Sequence, residues 1–303
     1  LHAVVRQAHQ SFKPDVWYLN TITLPQVVDV AKDLDVPFVT HVHELPLSYG
    51  AINRNEMRDA LERSRLLIGC SETTSAALRQ ATDHDRIVTL HSFIDTSALQ
   101  PQPDQARRLR TELGIGEADF VWLMSGTTSD RKGFDFFPDL ARLLDDPRVH
   151  LVWVGSRLDT GLTYHTEQRC SRSGPTRIHV VGEQKTAYAA YLSLADGFVL
   201  TSRQDPFPLV MIEAASLGLP IVSFPSGGVA EFVRPGMGEV VSSWNLPDLA
   251  AAMCRVMNDP TLFNADVARH RAERFSVDQQ LSPWESLLAR FTLQPEMSAQ
   301  GVG

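Results

Sequence analysis

Short, almost continuous apolar runs recur along this chain, and segments of helical periodicity separate them. Phe120-Val-Trp-Leu-Met124, Val149-His-Leu-Val-Trp-Val154, Arg177-Ile-His-Val-Val181 and Gly197-Phe-Val-Leu-Thr-Ser202 lack the strict alternation of a strand with one solvated face. Strands of this kind, joined through helices, predict parallel sheets covered on both sides, the α/β class. The same alternation occupies the first hundred residues. Strands are expected within 13–20, 36–44, 65–71 and 86–90, with helices over 25–34, 55–64 and 72–80. Residues 1–12 read as the middle of a helix, so an earlier start to the chain is expected. Pro101-Gln-Pro-Asp-Gln then interrupts the pattern, as a linker would. The expected organisation is two Rossmann-like, doubly wound domains facing a cleft. They cover 1–100 and 117–281, with a linker over 101–116 and a closing helix and tail over 282–303. The polar stretch 160–174 reads as a loop, 265–275 and 282–291 as two helices, and 294–303 as a disordered tail.

A chain of 303 residues is long enough for two cores. The net charge of −8 argues against nucleic acid as a partner. The three cysteines, Cys70, Cys170 and Cys254, are far apart and lack metal-type spacing, which fits a reducing cytoplasm. No apolar run approaches the ~20 residues of a membrane helix, so membrane contact would be peripheral.

Polar clusters fall just after the strands: His41, His43 and Glu44; Ser71; 125–132; 202–205; and 226–231. In open α/β sheets ligands bind beyond those strand ends. The richest cluster is Arg203-Gln-Asp-Pro-Phe-Pro-Leu-Val-Met-Ile-Glu213. Pro206 and Pro208 keep its first part extended, and a helix is expected from Leu209 to Leu217, closed by Gly218 and Pro220. Asp205 and Glu213 thus lie near one helix N-terminus, a place that favours anions. An anion site that keeps two carboxylates suits a ligand carrying both phosphates and hydroxyls, such as a nucleotide sugar. Glu213 could merely stabilise the helix, but its neighbours Ile212, Ala214 and Ala215 imply burial, which is costly without a partner.

The loop Gly126-Thr-Thr-Ser-Asp-Arg-Lys-Gly133 follows another strand. Its glycines allow close backbone approach, and Arg131 and Lys132 supply charge for a pyrophosphate. It lacks the spacing of a Walker loop. His41 and His43 alternate along one strand, so they are expected on opposite faces, with His43 the better site candidate. Ser226-Gly-Gly228 could form a nest for an anion or a sugar hydroxyl. Tyr188 and Tyr191 are expected to pack, and Trp122 and Trp153 to lie in the core.

Together these residues resemble glycosyltransferase family 4, retaining enzymes of GT-B fold. The resemblance rests on Asp205-x7-Glu213 with Pro-Phe-Pro-Leu-Val between, and on Arg131-Lys132-Gly133 after Gly126. Gly227-Gly228-x-x-Glu231, His43-Glu44 and the turn His91-Ser-Phe-Ile-Asp95 support it. It spans 13 to about 290, with the first strands of the N-terminal, acceptor-side domain lacking a counterpart. The resemblance implies a nucleotide-sugar donor and a glycan or lipid-linked acceptor, in cell-surface polysaccharide synthesis in the cytoplasm or at the inner face of the membrane. It implies that no cofactor or divalent metal is needed, because positive residues and helix ends stabilise the leaving diphosphate. His43, Asp205 and Glu213 would form the catalytic set. Gly126, Thr127, Arg131, Lys132, Gly182, Glu183, Arg203, Phe207, Pro208, Leu209, Val210 and Glu213 would line the donor site. Within it, Glu213 would hold the ribose, Asp205 the sugar, Lys132 with Arg131 the diphosphate, and the residues after Gly182 the base. The pattern departs from the family at Asp205, where glutamate is usual, and at Thr127, where arginine often stands. A GT-B sugar-nucleotide epimerase and a non-catalytic nucleotide-sugar-binding module are the alternatives.

Overall fold

The computed structural model describes residues 1–50 and 52–293, so the tail expected over 294–303 lies outside the described residues. It divides into two compact units. One holds Leu1–Ser92 together with the helix that starts at Val277, and the other is Phe93–Ser276. Each contains one wholly parallel sheet.

The first sheet comprises β1 (Trp17–Leu19), β2 (Phe38–Val42), β3 (Leu67–Gly69) and β4 (Ile87–Thr89), side by side in chain order. Residues of alternate parity face its two sides, as strand geometry requires. Phe38 packs with Val28, Ala31 and Ala60 from helices Pro25–Asp33 and Arg54–Arg63. Val39 and Ile68 pack on the other side, where Leu287 of helix Val277–Leu293 joins Tyr18, Val88 and Leu90. That helix begins before the stretch expected from sequence and continues through Pro283.

The second sheet comprises β5 (Phe120–Ser125), β6 (Val149–Val154), β7 (Arg177–Gly182), β8 (Gly197–Leu200), β9 (Ile221–Ser223) and β10 (Gly238–Val240). Their spatial order is β10-β9-β8-β5-β6-β7. The chain moves outward through β6 and β7, then returns to the other side of β5 at β8. This is the doubly wound order, with its reversal between β5 and β8. Nearly every residue of β5, β6, β8 and β9 is buried, which is why these strands read as continuous apolar runs. Trp122 and Trp153 are fully buried among them, as expected. Gly197 has no room for a side chain, because a Cβ there would stand 2.5 Å from the Trp122 ring.

Two stretches differ from the sequence expectation. Residues 160–174 are not a loop: Gly161–Cys170 is a helix, N-capped by the Thr160 side chain, which accepts from the Thr163 N–H. Its buried face is made by Thr163 and Thr166, so it shows no hydrophobic stripe. The segment 101–116, expected as a linker with a short helix over 106–113, carries that helix from Pro103 to Glu112 and belongs to the second unit. It is fastened where Ser193 Oγ accepts from the Gln102 N–H at 2.9 Å and Leu194 O accepts from Arg110 at 2.8 Å.

Candidate donor site

The reversal between β5 and β8 brings two loops together. Loop 126–133 leaves β5 and loop 201–208 leaves β8. They are joined by backbone and side chain alike. The Arg203 N–H donates to Arg131 O at 2.8 Å, and Thr201 Oγ1 donates to Lys132 O at 2.8 Å. Gly133 makes the approach possible. Its φ is +74°, and a Cβ would stand 2.1 Å from Thr201 O, closer than any side chain tolerates. Gly126 is fixed from the other side, its N–H donating to Val154 O and its carbonyl accepting from Trp153 Nε1 at 2.8 Å.

This junction sets the charges. Lys132 Nζ donates to Asp205 Oδ2 at 2.5 Å, and the two side chains are only 14% and 7% exposed. Ser202 Oγ donates to the same carboxylate oxygen at 3.2 Å. The N–H of Gly228 donates to Pro206 O at 3.0 Å and to Asp205 O at 3.3 Å, which draws the 226–228 turn against the site. The Ser226 hydroxyl is fully buried with no partner among the described residues.

Beyond Pro208 the chain enters helix Leu209–Ser216, with no side chain capping its N-terminus. Glu213 lies just over one turn inside and is largely buried. Burial pushes its carboxyl above the usual carboxylate range, and a hydrogen bond from Tyr188 acts against that rise. Tyr188 Oη donates to Glu213 Oε2 at 2.7 Å. Asp205 and Glu213 therefore each have a separate partner, Lys132 and Tyr188.

The remaining expected donor residues divide into four groups. Thr127 is at the loop, its hydroxyl 3.1 Å from Ser156 Oγ, and Arg131 donates to Gln204 O at 3.0 Å. Pro208, Leu209 and Val210 form the helix start. Arg203 and Phe207 turn elsewhere. The Arg203 guanidinium makes two 2.7 Å bonds to Asp135 and lies 3.9 Å over the Phe136 ring, so its charge is already engaged. Phe207 is buried against Phe275, with ring centroids 5.3 Å apart. Gly182 ends β7 with φ +74°, where its carbonyl accepts from Gly155 N–H. Glu183 is exposed beside Lys185, 3.9 Å away. Tyr188 is the residue that sequence reading missed. It sits on a helix, Tyr188–Leu194, whose other members are apolar or small, so it read as packing.

In the other unit β2 stops at Val42, so His43 lies beyond the strand and alternation no longer governs it. The expectation of opposite faces fails for that reason: the His41 and His43 rings are 3.9 Å apart. His41 is fully buried, with Nδ1 2.8 Å from Tyr18 Oη, and desolvation, reinforced by His43, drives its pKa down to about 3. His43 Nε2 is 2.9 Å from Asn20 Oδ1, and burial lowers its pKa also. Glu44 accepts from the N–H groups of His43 at 3.0 Å and Ile22 at 3.3 Å and from the Thr21 hydroxyl. Among the described residues no group of three or more His, Cys, Asp or Glu could hold a metal ion, and no helix is long and apolar enough to cross a membrane.

Comparisons with known proteins agree on the architecture. The structure of Anabaena Alr3699/HepE in complex with UDP and glucose superposes with a TM-score of 0.82, over 95% of this chain and 80% of that one, at 24% identity. The fold is that of the GT-B glycosyltransferases. The family described as "Glycosyl transferases group 1" matches residues 119–259, a stretch running from β5 past β10. The alpha-galactosylglucosyldiacylglycerol synthase of Streptococcus pneumoniae is 30% identical over 46% of this chain. The GDP-mannose-dependent alpha-(1-6)-phosphatidylinositol monomannoside mannosyltransferase of Mycolicibacterium smegmatis is 27% identical over 73% of it. The chain spans 37% of the length of the first of these relatives and 60% of the second.

Proposed function

We propose that this chain binds a nucleotide sugar and transfers its hexose to a glycan or lipid-linked acceptor. The observation that carries this reading is the placement of Lys132, Asp205 and Glu213 at the strand-order reversal of the six-stranded sheet, where open α/β sheets bind their ligands. Glu213 accepts from the ribose hydroxyls and Asp205 from those of the sugar. Lys132, with Arg131 beside it, offsets the diphosphate charge, and the N–H groups of Leu209 and Val210 meet a phosphate at the helix end. Lys132 is held by Asp205, so diphosphate and carboxylate share one ammonium once the donor is bound.

The chemistry proposed is retaining and metal-independent. The acceptor attacks from the face the diphosphate leaves, a phosphate oxygen takes its proton, and His43 approaches the sugar. The relatives' names include a diacylglycerol-linked sugar synthase and a phosphatidylinositol mannoside mannosyltransferase. They favour a lipid-linked acceptor, and the proposed role is the building of cell-surface glycans at the inner face of the membrane.

The test is a thermal-shift panel of UDP-, GDP- and dTDP-sugars followed by a transfer assay. A donor present at a hundred times its Kd stabilises the native state by about 2.7 kcal/mol. Glu213→Ala is expected to abolish that shift and lower turnover at least ~100-fold, and His43→Ala to lower turnover while the shift persists. If no nucleotide sugar raises the midpoint, the reading fails. Donor binding without transfer to any acceptor, in a chain extended to the relatives' length, would favour a binding module instead.

A further inference from the structure

Glu213 is a carboxylate in a desolvated place, and among the described residues one side chain donates to it. Tyr188 Oη lies 2.7 Å from Oε2. Because a carboxylate only accepts, the phenol proton must point at Glu213. Ser125, the buried last residue of β5, is a hydroxyl neighbour of Tyr188, and with its own proton committed to Glu213 the phenol oxygen is open only as an acceptor. Helix Tyr188–Leu194 and helix Leu209–Ser216 therefore meet through one directed bond. Tyr188 Oη–H donates to Glu213 Oε2. Oε1 is left without a partner among the described residues.

We infer that Tyr188 is a positioning residue that holds Glu213 ionised and in a single orientation, so that Oε1 alone is presented to a ribose hydroxyl. This rests on the donor reading proposed above. Tyrosine suits the task because two side-chain torsions fix it and its ring fills apolar space, while a hydrogen bond to a carboxylate is stronger in a site of low dielectric. Burial already lifts the Glu213 carboxyl, and the Tyr188 bond opposes that lift. Removing the phenol oxygen should raise the carboxyl pKa further and weaken the acceptor.

The experiment uses Tyr188→Phe in the whole chain, with UDP and GDP and their 2′-deoxy counterparts as probes. Affinity for the preferred ribonucleotide is expected to fall ~10-fold, the worth of one hydrogen bond to a charged group. The preference for ribo- over 2′-deoxy-nucleotide should narrow. The acid limb of binding should move to higher pH, and KM for the donor should rise with little change in kcat. Ser125→Ala should act in the same direction and more weakly, and it serves if Tyr188→Phe does not fold. A folded Tyr188→Phe protein with an unchanged ribose preference and an unchanged acid limb would overturn the inference. Titration of the Glu213 carboxyl by NMR in the ligand-free proteins separates the two readings. If neither UDP nor GDP binds the native chain, the proposed function fails. The coupling is then still decided by whether Tyr188→Phe raises the carboxyl pKa.

Discussion

The four-stranded and six-stranded sheets are assembled from the same kind of part, a buried parallel strand followed by a helix, yet their strand ends behave differently. In the first, β1 to β4 lie in chain order, so every crossover steps the same way. The polar groups after its strands satisfy one another: Glu44 is taken up by Thr21, Ile22 and His43. In the second, the chain reverses between β5 and β8, and the loops that leave those two strands carry Lys132 and Asp205, with the 226–228 turn after β9 drawn against them. There Ser226 Oγ and one oxygen of Glu213 remain without partners among the described residues. A buried unpartnered atom does not by itself separate the units, since His41 Nε2 in β2 is another; what sets the second strand end apart is that the loops meeting there bring a buried ammonium to a carboxylate beside the helix that carries Glu213. The units also share a pair type in two settings. Lys132–Asp205 is 14% and 7% exposed, whereas Lys32–Asp59 in the first unit is 34% and 33% exposed.

The largest stability effect is expected where that pair is buried. Asp205→Ala leaves an ammonium and the Ser202 hydroxyl facing an apolar methyl, and breaking a buried pair in this way costs about 3–5 kcal/mol. The double variant Lys132→Met/Asp205→Leu should recover most of the loss. Urea unfolding reads both, and a single variant as stable as the native chain would remove the distinction between the two settings. Next in size is Gly133→Ala, which forces a side chain into the left-handed region and against Thr201 O. At least ~2 kcal/mol should be lost, with the two loops of the site driven apart. Gly50→Ala in the first unit provides the contrast. Its φ is −61° and its nearest neighbour to a Cβ is 3.8 Å away, so its midpoint should stay close to the native one.

These contrasts also explain what the sequence could convey. The apolar strands were legible because both of their faces are buried, and the loop before Leu209 because proline fixes its backbone locally. Asp205, Glu213 and Lys132 could be selected by position relative to strands. Their partners could not. Tyr188 reaches Glu213 from 25 residues away, on a helix whose pattern says packing. Arg203 was expected to line the donor site, but Asp135 and Phe136 engage it, and nothing in the local pattern announces either contact. His41 and His43 were assigned to opposite faces by an alternation that ends with the strand at Val42. The helix Gly161–Cys170 was hidden because threonines form its buried face. Local geometry travels with the sequence, whereas side-chain pairing across elements is decided by tertiary contact.

Acid should weaken both sheets through buried histidines. The pKa of His41 is lowered to about 3, and that of His179, beside His150, to about 4, in each case chiefly by desolvation. Unfolded, both would titrate near 6.5. Between about 6.5 and these lowered values the unfolded chain binds more protons than the native one, so stability rises with pH across this window and is lost as pH falls through it. His41→Gln should flatten the pH dependence of the first unit and His179→Gln that of the second. Urea midpoints at pH 7, 6, 5 and 4 measure this. An unaltered slope in His41→Gln would show that other groups control the acid response of the four-stranded sheet.

The smallest effect is expected from the exposed counterpart of the buried pair. Asp59 accepts from Lys32 at 2.8 Å and from Arg63 at 2.5 Å, so its geometry is as good as that of Asp205. Its surroundings are not. Water solvates Lys32 and Arg63 once Asp59 is gone, so no charge is stranded, and exposed pairs of this kind contribute little. Asp59→Ala should barely shift the urea midpoint, and what shift there is should fade in 1 M salt, where the screening length is about 3 Å. Asp205→Ala should lose stability in low and high salt alike, because salt does not reach a pair that water does not reach. If the two alanine variants lost stability equally, pair geometry rather than burial would set the cost. The polar groups at the reversal would then need no ligand to explain them.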